Sequence, residues 1–134
     1  MAGRYQVNHR WRSHPQWTPG SRLTVRATIR ANGAVDHGQA RHVLNDWLAT
    51  LRPAWLTIDG KPELVAYDGG AFVGLSAPSD AAAVCPDVLI SAAGDEAGLW
   101  IGRLADELYE VVTETLPHLE FDWEELEPRP FGRQ

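Results

Sequence analysis

Residues 22–30 read RLTVRATIR, a strict alternation of polar and apolar side chains. Side chains two positions apart share one side of an extended chain, so the apolar and polar sets lie on opposite faces. The pattern predicts a half-buried strand. Its inward set is Leu23, Val25, Ala27 and Ile29, and its outward set is Arg22, Thr24, Arg26, Thr28 and Arg30.

A similar alternation precedes this strand, over residues 5–12, with Tyr5, Val7, His9 and Trp11 on one side. Residues 13–21 contain Pro15, Pro19 and Gly20 and are predicted to form a loop. Two alternating segments separated by a loop are typical of antiparallel neighbours. We therefore expect the strand at 5–12 to pair with the strand at 22–30.

A helix is predicted over residues 36–51. Asp36 followed by Gln39 has the spacing of a capping box, and Pro53 ends the helix because the preceding Arg52 avoids helical angles. Apolar residues recur at the spacing of one helix face. They are Ala40, Val43, Leu44, Trp47, Leu48 and Leu51.

Three short strands are predicted next, at 54–58, 63–67 and 71–75. Asp59-Gly60 and Asp68-Gly69-Gly70 separate them and indicate hairpin turns. The pattern of residues 76–94 leaves their structure open, with a strand at 88–90 as one candidate.

A second helix is predicted from Asp95 or Glu96 to about Leu116, before Pro117. Its expected buried residues are Trp100, Leu104, Ala105, Leu108, Val111 and Val112. Its expected solvated residues are Arg103, Asp106, Glu107, Glu110 and Glu114. Trp100 and the first helix's Trp47 are both expected to be mostly buried. A last strand is predicted at 119–124, with Glu120, Asp122 and Glu124 on one side.

The predicted order β-β-α-β-β-β-(β)-α-β indicates the α+β class, an antiparallel sheet with two amphipathic helices packed on one face. At 134 residues and 44% hydrophobic content, the chain fits a single domain over residues 1–134. Residues 128–134 are predicted to form a flexible tail. No apolar run resembles a signal peptide or a membrane span, and Cys85 is the only cysteine, so we expect a soluble, cytoplasmic protein.

Charge is divided unevenly along the chain. Residues 1–60 carry eight arginines and three acids, for +5, whereas residues 61–134 carry four basic residues and fifteen acids, for −11. Eleven of the twelve basic residues are arginine, which with the many alanines and glycines indicates a high-GC genome, of a bacterium or its phage. The acidic half would repel a long polyanion, so nucleic acid is an unlikely partner.

Motifs for catalysis, cofactors or metals are absent from the sequence. His37 and His42 are five apart and do not share a helix face, whereas His42 can pair with Asp46 one turn later. Cys85 lies between Val84 and Pro86 and is interpreted as a small buried side chain. We therefore favour a protein that is not an enzyme, with no cofactor and no metal.

Two functional hypotheses remain. The preferred one is a protein-interaction module, such as an inhibitor, immunity, accessory or phage-type assembly protein, whose acidic half binds a protein partner or a second copy. Its candidate residues are Glu107, Glu110, Glu114, Asp122 and Trp123. The alternative is a module, with or without enzymatic activity, that binds a small anion or a nucleotide on an arginine-lined sheet face. Its candidates are Arg10, Arg12, Arg26, Arg30 and Trp17.

One predicted strand arrangement argues against the anion-binding hypothesis. If the strand at 119–124 lies beside the strand at 22–30, its acids face the arginines as cross-strand ion pairs. The arginine face is then neutralised within the chain, and we favour this arrangement.

Overall fold

The computed structural model describes residues 3–6, 21–31, 37–58, 61–68, 71–94 and 96–130. Within these residues the element order is β-α-β-β-β-β-α-β. The elements are β1 (Ser21–Ala31), α1 (His37–Ala49), β2 (Arg52–Ile58), β3 (Lys61–Asp68), β4 (Ala71–Ser76), β5 (Asp87–Ala93), α2 (Ala97–Thr115) and β6 (Leu119–Pro130). The α+β class is therefore confirmed.

The six strands form one antiparallel sheet in the order β2-β3-β4-β5-β1-β6. Both predicted hairpins are confirmed, because Ile58 pairs with Lys61 and Asp68 pairs with Ala71 across connections of two residues. The segment whose sequence pattern is ambiguous contains β5, which pairs with β4 on one side and β1 on the other.

The predicted pairing of residues 5–12 with β1 is wrong. Strand β1 has β5 on one side, along Arg22–Ala27, and β6 on the other, along Ser21–Ala31. Both edges of β1 are therefore occupied by other strands. Residues 7–12, with most of the predicted strand, lie outside the described residues, as does the capping residue proposed at Asp36.

The hydrophobic core lies between the helices and one face of the sheet, which we call the inner face. It includes the inward set of β1, where all four side chains are buried, and Val88, Ile90 and Ala92 of β5. Helix α2 packs on this face through four large side chains, Ile101, Leu104, Leu108 and Val112. Helix α1 packs against α2 and buries Ala40, Leu44 and Trp47.

The two tryptophans of the helices differ in depth. Trp47 is buried, with 2% of its surface exposed. Trp100 is partly buried, and the Arg103 guanidinium lies 5.3 Å from its ring centroid. In the first turns of α2, Ile101 is 0% exposed, although the predicted set omits it. The apolar face of α2 therefore overlaps the predicted one but is rotated slightly around the helix axis, away from Trp100 and towards Ile101.

The ends of β5 and β6 set the position of α2 and the limit of the sheet. Gly94 follows β5 with φ of +85°, a conformation that side chains disfavour, and its carbonyl accepts the Ala97 amide at the start of α2. Strand β6 continues to Pro130, three residues into the segment predicted as a tail. Residues 131–134 lie outside the described part of the chain.

Candidate protein-interaction surface

The exposed side of α2 carries four acidic residues, Asp106, Glu107, Glu110 and Glu114, which we call the acidic helix face. Spacings of three, four and seven residues place their side chains near one another along one side of a helix. The opposite side of α2 is fixed by the apolar side chains buried on the sheet. These four residues are therefore exposed to solvent. Three of them, Glu107, Glu110 and Glu114, are predicted protein-binding residues, and they lie together.

Glu107 also joins the two helices. The indole Nε1 of the buried Trp47 donates a hydrogen bond of 2.9 Å to its Oε1. A buried indole N–H needs an acceptor, and here a residue at the edge of the acidic helix face supplies it. Glu107 thus has a structural role that its sequence position among solvated acids does not reveal.

Arg4 lies against the middle of the acidic helix face. Its Nη2 donates to Glu110 at 2.9 Å, and its Nη1 lies 3.7 Å from an oxygen of Asp106. Its guanidinium carbon also lies 5.0 Å from the centroid of the Tyr109 ring. One arginine is therefore held by two carboxylates and an aromatic ring.

The next residue, Tyr5, packs against β6. Its ring lies 5.6 Å from that of Trp123, and its hydroxyl donates to Glu125 at 2.7 Å. Trp123 Nε1 in turn donates to the carbonyl of Gly3 at 2.6 Å. We call Asp106, Tyr109, Glu110, Trp123 and Glu125 the docking site, because together they hold residues 3–6 on α2 and β6.

Asp122 lies apart from the other predicted protein-binding residues. It follows Phe121, which packs with Tyr109 on the inner face, so its own side chain is on the opposite, outer face of the sheet. There it forms an ion pair with Arg30. The structure brings Glu110 and Trp123 together through residues 3–6 and separates Asp122 from both.

Two arginines of β1, Arg26 and Arg30, are paired within the chain, as the favoured arrangement predicted. In the register of β1 and β6, Arg26 faces Glu124 and Arg30 faces Glu120. Arg26 lies 3.1 Å from Glu124, and Arg30 contacts both Asp122 and, at 3.5 Å, Asp80. The other candidates of the arginine-lined face, Arg10, Arg12 and Trp17, lie outside the described residues.

One buried carboxylate on the outer face, that of Asp87, is not among the candidate residues predicted from the sequence. Asp87, at the start of β5, is 0% exposed, accepts the Ser79 amide at 3.1 Å and lies 3.7 Å from Arg26 Nε. Thr28 and Ser79 hydroxyls approach to 3.3 Å beside it. The available signal is an acidic residue directly before the apolar residues 88–90, but the sequence pattern of residues 76–94 does not define that strand.

The remaining titratable candidates do not converge. His37 and His42 are exposed, and His42 Nε2 lies 3.3 Å from Asp46, the pairing predicted one turn along α1. Cys85 is buried, and burial together with the nearby Asp87 charge raises the pKa of its thiol to about 11. Among the described residues, no three His, Cys, Asp or Glu side chains are grouped as a metal site would need.

Comparisons with protein-family models, with curated proteins and with solved structures found no match for this chain. None of the helices in the described ranges has the length and apolar character needed to cross a bilayer.

Proposed function

We propose that this chain is a protein-interaction module that presents the acidic helix face of α2 to a basic surface of a partner protein. Inhibitors, immunity proteins, accessory factors and phage-type assembly proteins work in this way, by occupying a surface of another protein. Electrostatic complementarity of this kind accelerates encounter and selects partners of opposite charge.

The observation that carries the proposal is a difference in ion pairing between the outer sheet face and the acidic helix face. On the outer sheet face, Arg26 and Arg30 each lie within ion-pair distance of two carboxylates of the same chain. On α2, Arg4 lies within ion-pair distance of two of the four acids, Asp106 and Glu110. Both of these sheet arginines thus have acidic partners, whereas Arg4 compensates only part of the acidic helix face.

The same pairing weakens the hypothesis of an anion-binding sheet face. A phosphate or nucleotide would have to displace Asp122 and Asp80 from Arg30, and Glu124 and Asp87 from Arg26. Asp87 cannot move away easily because it is fully buried and holds the Ser79 amide. An added anion would therefore lie next to a fixed negative charge, which is unfavourable.

Charge also favours a different protein over a second copy. A twofold-symmetric dimer places the same patch of each copy against the other. The acidic helix face would then meet itself, and like charges opposite one another oppose association. A partner with a basic surface avoids this repulsion.

The first experiment identifies the partner by comparison of two charge variants. Glu110→Gln with Glu114→Gln removes two charges from the acidic helix face. Asp46→Asn with Glu96→Gln removes two exposed charges elsewhere and is the matched control. Each is used, with the wild-type chain, to capture proteins from the native host, and bound proteins are identified by mass spectrometry.

We expect a protein that the wild-type chain and the control retain and that the Glu110/Glu114 variant loses. The retained protein should carry a basic surface, and its binding should weaken with salt. Loss of a specific partner with Arg26→Gln and Arg30→Gln, together with full retention by the Glu110/Glu114 variant, would contradict the proposal and favour the sheet face.

A further inference from the structure

We infer that the docking site also accepts a segment of the partner protein in which an arginine is followed by an aromatic residue. Residues 3–6 occupy this site in the chain itself, so they act as an internal competitor that the partner must displace. The inference rests on the proposed function and specifies the chemistry of the partner and the control of its binding.

The contacts of the occupying segment define that chemistry. The docking site provides two carboxylates and a ring for a guanidinium, through Asp106, Glu110 and Tyr109. It provides an indole for an aromatic ring and an indole N–H for a backbone carbonyl. A carbonyl, a guanidinium and a ring follow one another in any segment in which an arginine has a residue before it and an aromatic residue after it, as Arg4 has Gly3 and Tyr5. Only the contact with Glu125 needs a hydroxyl on that ring, as Tyr5 has.

Exchange of one such segment for another is feasible because the incoming segment forms the same kinds of interaction as the segment that leaves. Tyr5 is only 8% exposed, and its release alone would remove one of the two rings that pack with the Trp123 indole, the other being Phe121. An incoming aromatic ring restores that packing, and an incoming arginine restores the charge balance of Asp106 and Glu110. The docking site therefore favours exchange of residues 3–6 for a partner segment over release of residues 3–6 alone.

The internal competitor raises the threshold for binding. A segment tethered to the same chain has a high effective concentration, so a free peptide binds with an apparent affinity reduced by the fraction of chains with an open site. A partner overcomes this by adding contacts outside the docking site, and Glu114 lies next along the acidic helix face. Weak basic ligands would be rejected.

The test uses a fluorescein-labelled peptide with the sequence of residues 1–8, MAGRYQVN, and fluorescence anisotropy with full-length protein. The double variant Arg4→Gln with Tyr5→Phe weakens the internal competitor while keeping a ring at position 5. The matched control is Arg41→Gln, which removes an exposed arginine from α1. We expect the double variant to bind the peptide roughly two- to fivefold more tightly than the wild-type chain or the control.

Two further measurements define the site. Adding Glu110→Gln to the double variant should reduce peptide affinity by roughly two- to fivefold, because the guanidinium loses a charged acceptor. The Trp123 indole N–H resonance should shift when peptide is added, and a dispersed NMR spectrum shows that each variant is folded. A peptide with glutamate and alanine in place of arginine and tyrosine should not bind.

The inference is overturned if folded double variant and wild-type chain bind the peptide equally or not at all, or if Glu110→Gln has no effect on binding. It is also overturned if the double variant forms dimers in sedimentation experiments at the peptide-binding concentrations, since the occupant is then a second copy. The proposed function is tested separately by Glu114→Gln, which lies outside the docking site, and by its effect on partner capture. Failure of one can therefore be distinguished from failure of the other.

Discussion

At the residue scale, Asp87 is the clearest case of a polar side chain that the fold requires. It is fully buried, accepts the Ser79 amide and lies 3.7 Å from Arg26 Nε. A buried carboxylate is costly unless hydrogen bonds and a cation offset its lost hydration. Asp87 thus ties the segment after β4 to the outer face of β1.

Asp87→Asn is expected to lower the free energy of unfolding by about 2 kcal/mol, the scale of a hydrogen bond to a charged group. The variant keeps the side-chain volume, so the loss reports charge and not a cavity. Urea unfolding measures the change, with Asp46→Asn as the control, because Asp46 is exposed and its contact is with the exposed His42. Equal stability of Asp87→Asn and wild type would show that the buried charge is not needed.

Cys85 provides a second prediction at this scale, from the pKa of about 11 produced by burial and by Asp87. The folded thiol stays protonated where an ordinary thiol, with a pKa of 9.0, ionises. Stability is therefore expected to fall as pH rises from 9.0 to about 11, since the unfolded chain gains ionisation that the folded chain resists.

Reactivity with iodoacetamide measures this directly. At about pH 8 the folded chain should react at least roughly tenfold more slowly than the chain in urea, because the thiolate is scarce and inaccessible. Cys85→Ala, which cannot react, is the blank for both states. Similar rates in the two states would mean that the thiol is neither buried nor perturbed.

At the scale of elements, periodicity predicted both helices and most strands, because their apolar side chains repeat at the spacing that burial on one face requires. The phase of α1 follows from the same repeat, with Leu44 and Trp47 buried. The order of strands in the sheet did not follow. Two alternating segments can pair, but only long-range packing decides that β5 and β6, and not residues 5–12, flank β1.

The acidic residues of α2 could be predicted for the same reason as its buried face, whereas the docking site could not. Arg4 and Tyr5 contact residues more than a hundred positions away, and neither local spacing nor composition specifies such contacts. Likewise, Glu107 is expected from the sequence to be solvated, and its hydrogen bond with Trp47 depends on the packing of α1 against α2.

The register of β1 and β6 gives a prediction at this scale. Reversing one charge, in Arg30→Glu, places a carboxylate beside Asp122 and Asp80 and should cost roughly 1 kcal/mol of stability. Combining it with Asp122→Arg should recover part of that loss, since the cross-strand pair is restored with its signs exchanged. Thermal or urea unfolding of the four proteins in the cycle measures the coupling. Strict additivity of the two changes would contradict the register.

The helix pair gives a parallel prediction. Glu107→Ala removes the acceptor of the buried Trp47 indole and should cost about 1 kcal/mol. Glu107→Gln keeps an oxygen acceptor and should cost less than about half of that. Because of this structural role, charge reversal at Glu107 would confuse stability with binding, and Glu110 and Glu114 are the better positions for testing partner capture.

At the scale of the whole molecule, the charge difference between the two halves of the chain is largely cancelled where the halves meet. Basic β1, from the first half, lies between β5 and β6 of the acidic half, and Arg4 lies on α2. Residues distant in sequence thus neutralise one another across the sheet. On α2, Arg4 contacts Asp106 and Glu110, so only part of the acidic helix face takes part in this neutralisation.

The acidic helix face is tested most directly by the association rate of the purified partner with the Glu110→Gln/Glu114→Gln chain, at low and at physiological salt. We expect association about fivefold slower at low salt, with a weaker salt dependence and an unchanged unfolding transition. The Asp46→Asn/Glu96→Gln chain, with the same net charge, should associate at the wild-type rate. Equal slowing in both variants, or in neither, would contradict a specific role of the acidic helix face.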